Sequence, residues 1–280
     1  MRAFNEFKNE DRTFWAFVKY ISESLGYTVR KENIVKEYEL KEIVELFEEE
    51  RISYDPAMVN RAINYLNKRA KVLNDIVSKN LMDAKQAEVE FNRLKQVYDE
   101  NGYNSKLPMN KQSGEMKKIN FFTAIINILT EDTLKKIKSP ISGEFFVDDP
   151  RELVYIIDSD NMIVSSTSRR YDGVYPGTHN PLIVWEIKEY YYATTFGSRI
   201  ADGVYETQLD GYEFEEIERE TGRHIEHVFL VDGYKTWWED GKSYLCRVID
   251  ALNKGLVDEV IIGREVLTRW PQLLKEIIEQ

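Results

Sequence analysis

Four apolar residues, Leu182-Ile183-Val184-Trp185, run straight into Glu186-Ile187-Lys188. An apolar run this short, bounded by turn signals, predicts a strand covered on both faces, where charge is costly. Strand side chains alternate, so Ile183, Trp185 and Ile187 share one face while Leu182, Val184, Glu186 and Lys188 share the other. One face stays apolar to its end. The other changes abruptly to a carboxylate and an ammonium, which calls for a reason.

Upstream, Pro176-Gly177 and Asn180-Pro181 mark a turn. If the segments flanking it form a hairpin, the centre falls near residues 178–179 and facing positions add up to 357 or 358, as 172 and 186 do. Asp172 and Glu186 would then hold their Cβ atoms roughly 5 Å apart. A slip of one residue would send one of them to the other face. In register, two carboxylates and Lys188 meet at the sheet surface. Carboxylates that close repel unless a proton or a cation stands between them, and hard oxygen donors suit Mg²⁺ or Mn²⁺.

Asp172, followed on the next strand by Glu186-Ile187-Lys188, resembles the signature of the PD-(D/E)XK nuclease superfamily. Gln208-Leu209-Asp210-Gly211-Tyr212 is similar to the Gln-x-x-x-Tyr element of its RecB-like branch. The resemblance covers about residues 120–265. It implies a restriction-endonuclease-like core and chemistry with Mg²⁺ or Mn²⁺. Asp172, Glu186 and the carbonyl of Ile187 would be metal ligands. Lys188 would orient or activate the attacking water and offset negative charge at the scissile phosphate. Gln208 and Tyr212 would approach the site from the following helix. Tyr171 stands where the signature often has proline, and Arg169 where RecB-like members have glycine. The single cysteine, Cys246, excludes the four-cysteine iron–sulfur cluster of some relatives.

The chemistry stands without the resemblance. Hydrolysing a phosphodiester brings a nucleophile toward a group that is already negative. A bound cation lowers the pKa of its water and neutralises developing charge, and a lysine adds a second positive centre. The plain alternative is a solvent-facing Glu–Lys pair at a strand end, with Asp172 a turn residue. Arg169 and Arg170 ahead of Asp172, and Ser198 and Arg199 after the strand, are candidate phosphate contacts. The latter two follow the tyrosine- and threonine-rich stretch 190–197.

Composition narrows the setting. No run approaches 18 apolar residues and the N-terminal stretch is polar, so neither a membrane span nor a secretory signal is expected, and the protein reads as cytoplasmic. One cysteine and three scattered histidines exclude a disulfide framework and disfavour a zinc site. His224 and His227 read as surface residues. A net charge of −11 argues against a protein that coats nucleic acid indiscriminately, although residues 61–120 hold 12 Lys/Arg against 7 Asp/Glu.

Along the chain, residues 1–115 read as all-helical, as a DNA-contacting, dimerising or capping unit. Helices are expected before Gly26, over 41–51, and from Asp55-Pro56 onward as one long helix or a helical hairpin. Residues 102–114 read as a linker. Residues 116–280 then give a helix over 119–129 and a strand over 153–157. The turn 158–161 follows, with a returning strand over 162–166 that leads to Asp172. After the Glu186 strand come a helix over 201–221, a strand over 227–231 and a loop carrying Trp237-Trp238. A helix over 243–252, a strand over 258–262 and a terminal helix interrupted by Pro271 complete the chain. The expected fold class is α/β, a mixed central sheet flanked by helices, with an N-terminal all-helical domain. The expected activity is a Mg²⁺-dependent DNA endonuclease of prokaryotic restriction or anti-phage defence, acting on double-stranded DNA, with a homodimer or a defence partner protein in view. A RecB-like exonuclease or single-strand nuclease of repair, and a catalytically silent nucleic-acid-binding or assembly subunit, are the alternatives.

Overall fold

The computed structural model describes residues 1–29, 31–111, 113–114, 117–137, 146–192 and 198–279, with the side chains of Val147, Ser198 and Arg199 outside that description. The first helix, α1 (Arg12–Leu25), starts where Asp11 accepts the Phe14 N–H and stops at Gly26, whose φ of 81° suits a residue without Cβ. A short hairpin, β1 (Thr28–Val29) with β2 (Ile34–Val35), precedes α2 (Leu40–Glu49). Asp55 caps α3 (Pro56–Val72), with Pro56 in its first turn, and the helical path continues through the π-turn Leu73–Val77 to Asn80. A new helix, α4 (Ala84–Glu100), begins with a capping box between Asp83 and Gln86. Of the two forms expected from Asp55-Pro56 onward, one long helix or two, the chain takes two.

Next come α5 (Phe121–Ile137), β3 (Val147–Asp148) and the hairpin β4 (Tyr155–Ile157) with β5 (Ile163–Ser166). That hairpin forms a two-stranded sheet of its own, and its turn is fixed by Asp158, whose carboxylate accepts the N–H groups of Asp160 and Met162. The main sheet takes β6 (Gly173–Tyr175), β7 (Ile183–Glu189), β8 (Glu226–Asp232) and β9 (Glu259–Ile262) in the order β3-β6-β7-β8-β9. β6 runs antiparallel to both its neighbours, β3 and β7, and β7, β8 and β9 are parallel.

Both faces of β7 are covered. Ile183, Trp185 and Ile187 join Val228, Leu230 and Ile261 beneath α5 and the terminal helix α8 (Val266–Ile278). Ala87, Phe91 and Leu94 of α4 pack into this same core, ahead of the 102–114 stretch. On the other face Val184 meets Phe214 and Ile217 of α6 (Ser198–Thr221), while Phe229 and Val231 pack on α7 (Lys242–Asn253) and on Ala70, Leu73 and Val77 of the N-terminal region. Each fully buried Leu, Ile or Phe of these faces contributes about 1.5–3 kcal/mol of burial free energy.

Several expectations shift. The segment around Trp237-Trp238 is a π-helical turn (Lys235–Asp240) with both indoles buried, not an open loop. Pro271 lies within a continuous α8 rather than interrupting it. His227 is 1% exposed, held between the rings of Tyr171 and Phe214, because β8 turns it toward α6. Among the described residues no helix is long and apolar enough to cross a membrane.

Candidate metal centre

The hairpin register places the two acids together. Gly173 pairs with Trp185, Val174 with Val184 and Tyr175 with Ile183, so facing positions add up to 358, and the same count carried one residue beyond the ladder sets Asp172 against Glu186. Local sterics hold that register. The Trp185 ring lies over Gly173, and a Cβ there would stand 2.1 Å from the indole, so no larger residue fits opposite it. The Asp172 N–H donates to the Trp185 carbonyl at 3.1 Å, and its Oδ2 accepts the Ile187 N–H at 2.7 Å.

Glu186 is 4% exposed. Its Oε1 accepts from Lys188 Nζ at 2.5 Å, and its Oε2 is 3.3 Å from the Arg169 guanidinium. Arg169 also grips Asp210 of α6 with two bonds, of 2.7 and 2.6 Å. Glu206, one turn earlier on α6, stands 3.7 Å from Lys188 Nζ. Gly203 lets α6 come this close, since a Cβ there would meet Lys188 Cε at 3.0 Å. The interacting set thus holds four carboxylates, Asp172, Glu186, Glu206 and Asp210, against two cations, Arg169 and Lys188.

That excess appears in the titration of the groups. Asp172 is open to solvent on one side, yet loss of water around its carboxylate lifts its pKa to about 7, and the Glu186 charge pushes the same way. The Ile187 N–H, Lys188 and Arg169 oppose the rise without cancelling it. Burial alone would depress Lys188, but Glu186 outweighs it and the net shift is upward, so the ammonium stays charged at neutral pH. Burial also raises Asp210, against the pull of Arg169. His227, buried beside this cluster, is pushed down to about 4 by desolvation and stays neutral.

The other expected residues separate into four groups. Arg169 is in the cluster, paired with acids rather than free for a phosphate. Arg170 is exposed beside it. The loop 193–197 and the Ser198 and Arg199 side chains lie outside the described residues. Gln208 and Tyr212 are not brought to Asp172 and Glu186. They line grooves between α6 and the N-terminal helices, because the apolar positions Val204, Phe214 and Ile217 fix which way α6 faces. Asp210 and Glu206 take the place facing the sheet; their four-residue spacing within the acidic run 206–220 was the signal available for them.

Other acidic positions have structural partners. Glu189 receives the Thr123 N–H and hydroxyl at the start of α5, each at 3.0 Å. Asp232 receives the N–H groups of Met82 and Gly233 and the Tyr191 hydroxyl. His224 sits 3.1 Å from Glu218, 3.6 Å from Glu226 and 3.7 Å from Asp258 in a surface ion-pair cluster, of which His224, Glu226 and Asp258 have the spacing of metal ligands.

No curated protein and no solved structure matches the chain. Residues 1–76 match the family described as "Domain of unknown function (DUF7690)", a span that ends within the α3 path. Residues 82–277 match the family described as "Domain of unknown function (DUF7687)" and contain α4, the sheet and every member of the Asp172–Glu186 cluster; the chain belongs to this family.

Proposed function

We propose that this protein is a metal-dependent nuclease that hydrolyses phosphodiester bonds of DNA, an endonuclease on the restriction-endonuclease-like plan. The observation that carries the reading is the convergence of Asp172, Glu186 and Lys188 from adjoining strands into one cluster with more carboxylates than cations. The donor set fits a hard divalent ion: oxygen ligands only, a carboxylate lifted toward neutrality by loss of water and then by the Glu186 charge, and more carboxylates than cations. Asp172, Glu186 and the Ile187 carbonyl would hold Mg²⁺ or Mn²⁺, which when bound supplies a more acidic water and neutralises charge on the phosphate.

The chain's own groups do the rest. Lys188 stays protonated and acts as a hydrogen-bond donor and fixed positive charge toward the scissile phosphate, not as a general base. Arg169, tied to Asp210, fixes the distance between α6 and Glu186. Arg170, exposed and next in sequence to Arg169, would meet a phosphate backbone. Restriction or anti-phage defence is the setting that suits an endonuclease of this size, by analogy with the resemblance alone.

A second reading has one observation in its favour. Both Glu186 oxygens already face cations of the chain, so the cluster also suits a silent DNA-binding or assembly subunit that uses no metal. The exonuclease reading loses its support, since Gln208 and Tyr212 lie elsewhere. Plasmid cleavage with Mg²⁺ decides. Cutting that falls about 100-fold or more in both Glu186→Ala and Lys188→Ala supports the nuclease. Cutting that persists undiminished in both variants would end it, and absence of cutting by the parent chain with DNA binding insensitive to EDTA would favour the silent subunit.

A further inference from the structure

Gln208 and Tyr212 belong to a different site. Between α1, α6 and α7 a recess of about 110 Å³ is lined by Trp15, Lys19, Tyr205, Gln208, Arg247 and Lys254, among others. It adjoins a wider groove of about 670 Å³ that shares Trp15, Lys19 and Lys254 and adds Arg12 and Tyr212. Together they fall in the size range of small-molecule sites.

The charges there are unbalanced in the direction opposite to the metal centre. Glu10 is paired with Arg61, Glu23 with Arg247, and Asp250 with Arg69 and Tyr65. Arg12, Lys19 and Lys254 have no carboxylate partner among the described residues, whereas Glu215 is the one acid of the lining in that condition. Lys254 is half-buried against the Trp15 ring, 5.7 Å from its centroid, and burial with the like charge of Lys19 holds it below its ordinary pKa despite Asp250. A protein of net charge −11 concentrates unpaired cations in one recess at an electrostatic cost that a bound anion relieves.

The remaining surface is aromatic. Tyr205 and Tyr212 are 52% and 54% exposed, one turn either side of Gln208, whose amide has no hydrogen-bond partner among the described residues. Open rings, an amide able to donate and accept, and unpaired ammonium groups match a planar heterocycle that carries a phosphate.

We propose that this groove binds a nucleotide, its base against Tyr205 and Tyr212 with Gln208 reading its edge, and its phosphate on Lys19 and Lys254. The nucleotide is either free or part of a bound strand, and the site does not depend on the cleavage reading, because no residue of the Asp172 cluster takes part. Titration calorimetry without divalent ions, using AMP, inorganic phosphate and a single-stranded oligonucleotide as probes, tests it. AMP should bind more tightly than phosphate. Lys19→Glu and Lys254→Ala should each weaken AMP about tenfold or more, as expected for a lost charge-assisted bond. Tyr205→Ala, at an exposed position, should weaken AMP while sparing phosphate. Glu186→Ala should bind AMP like the parent chain. Competition between AMP and a tighter-binding oligonucleotide assigns the nucleotide to a strand, and AMP binding without competition assigns it to a free ligand. No heat with AMP or the oligonucleotide, equal affinity for AMP and phosphate, or AMP binding unchanged in Lys19→Glu and Lys254→Ala would overturn the inference.

Discussion

Arg69 and Asp250 join the N-terminal helices to α7 with their charges matched, whereas Arg169 and Asp210 sit in a cluster where carboxylates outnumber cations. In the first pair the guanidinium is 0% exposed, reaches both Asp250 oxygens at 2.9 Å and donates to Ser22, while the Tyr65 hydroxyl donates to Asp250 at 2.7 Å. In the second, Arg169 divides itself between Asp210 and Glu186, and Asp172 beside them keeps an unrelieved tendency to hold a proton. A matched buried pair is a fastening. On the proposed reading an unmatched one is a place for a cation to arrive, held in shape by the same kind of bond.

Mutation separates the two pairs. The largest expected effect on stability is at the fastening. Arg69→Met should cost about 3–5 kcal/mol in urea unfolding, because Asp250 is left buried without its cation. Asp210→Asn should cost far less, on the order of 1 kcal/mol, since Glu186 still faces Arg169. Equal costs would erase the distinction drawn between the two pairs.

A smaller effect is expected at Asp172, measured in EDTA. Its pKa is higher in the fold than in the unfolded chain, so the native state holds the proton more strongly and stability declines as pH rises from about 4 to about 7. Asp172→Asn should match the parent chain near pH 4 and exceed it above pH 7 by on the order of 1 kcal/mol, after allowance for screening at this solvent-open side chain. A variant less stable at pH 8 would contradict the charge excess. The smallest effect belongs to His224, raised to about 9 chiefly by Glu226, a half-exposed surface pairing. Its stabilisation is complete below pH 6.5 and lost as pH rises through about 9, so His224→Ala should lower the melting temperature slightly at pH 6 and not at pH 10.

Much of the site was legible because β-structure has a period of two. Once the turn was centred, the face of Asp172 and Glu186 and their opposition followed, and Gly173 beneath Trp185 keeps the register that the count implied. Asp55-Pro56 and Gly26 marked helix ends for equally local reasons. The helix was harder. Gln208 and Tyr212 do share a face, but a spacing of four says nothing about which way that face turns. At 3.6 residues per turn Gln208 and Asp210 differ by about 200°, so only one of them can look at the sheet. The packing of Val204, Phe214 and Ile217 chose Asp210. Gly211 likewise serves a close approach, to the Leu256 carbonyl, where a Cβ would stand at 2.3 Å. The separation of the β4–β5 hairpin from the main sheet depends on long-range packing that alternation in 153–166 does not encode.

The proposed cleavage requires a cation held between Asp172 and Glu186. Mn²⁺ titration calorimetry at pH 7.5 addresses it directly, with the parent chain beside Asp172→Ala and Glu186→Ala. Saturable binding with proton release is expected for the parent chain, lost in both variants and retained in His224→Ala. Binding that survives in both site variants, or that is absent from the parent chain, would contradict it.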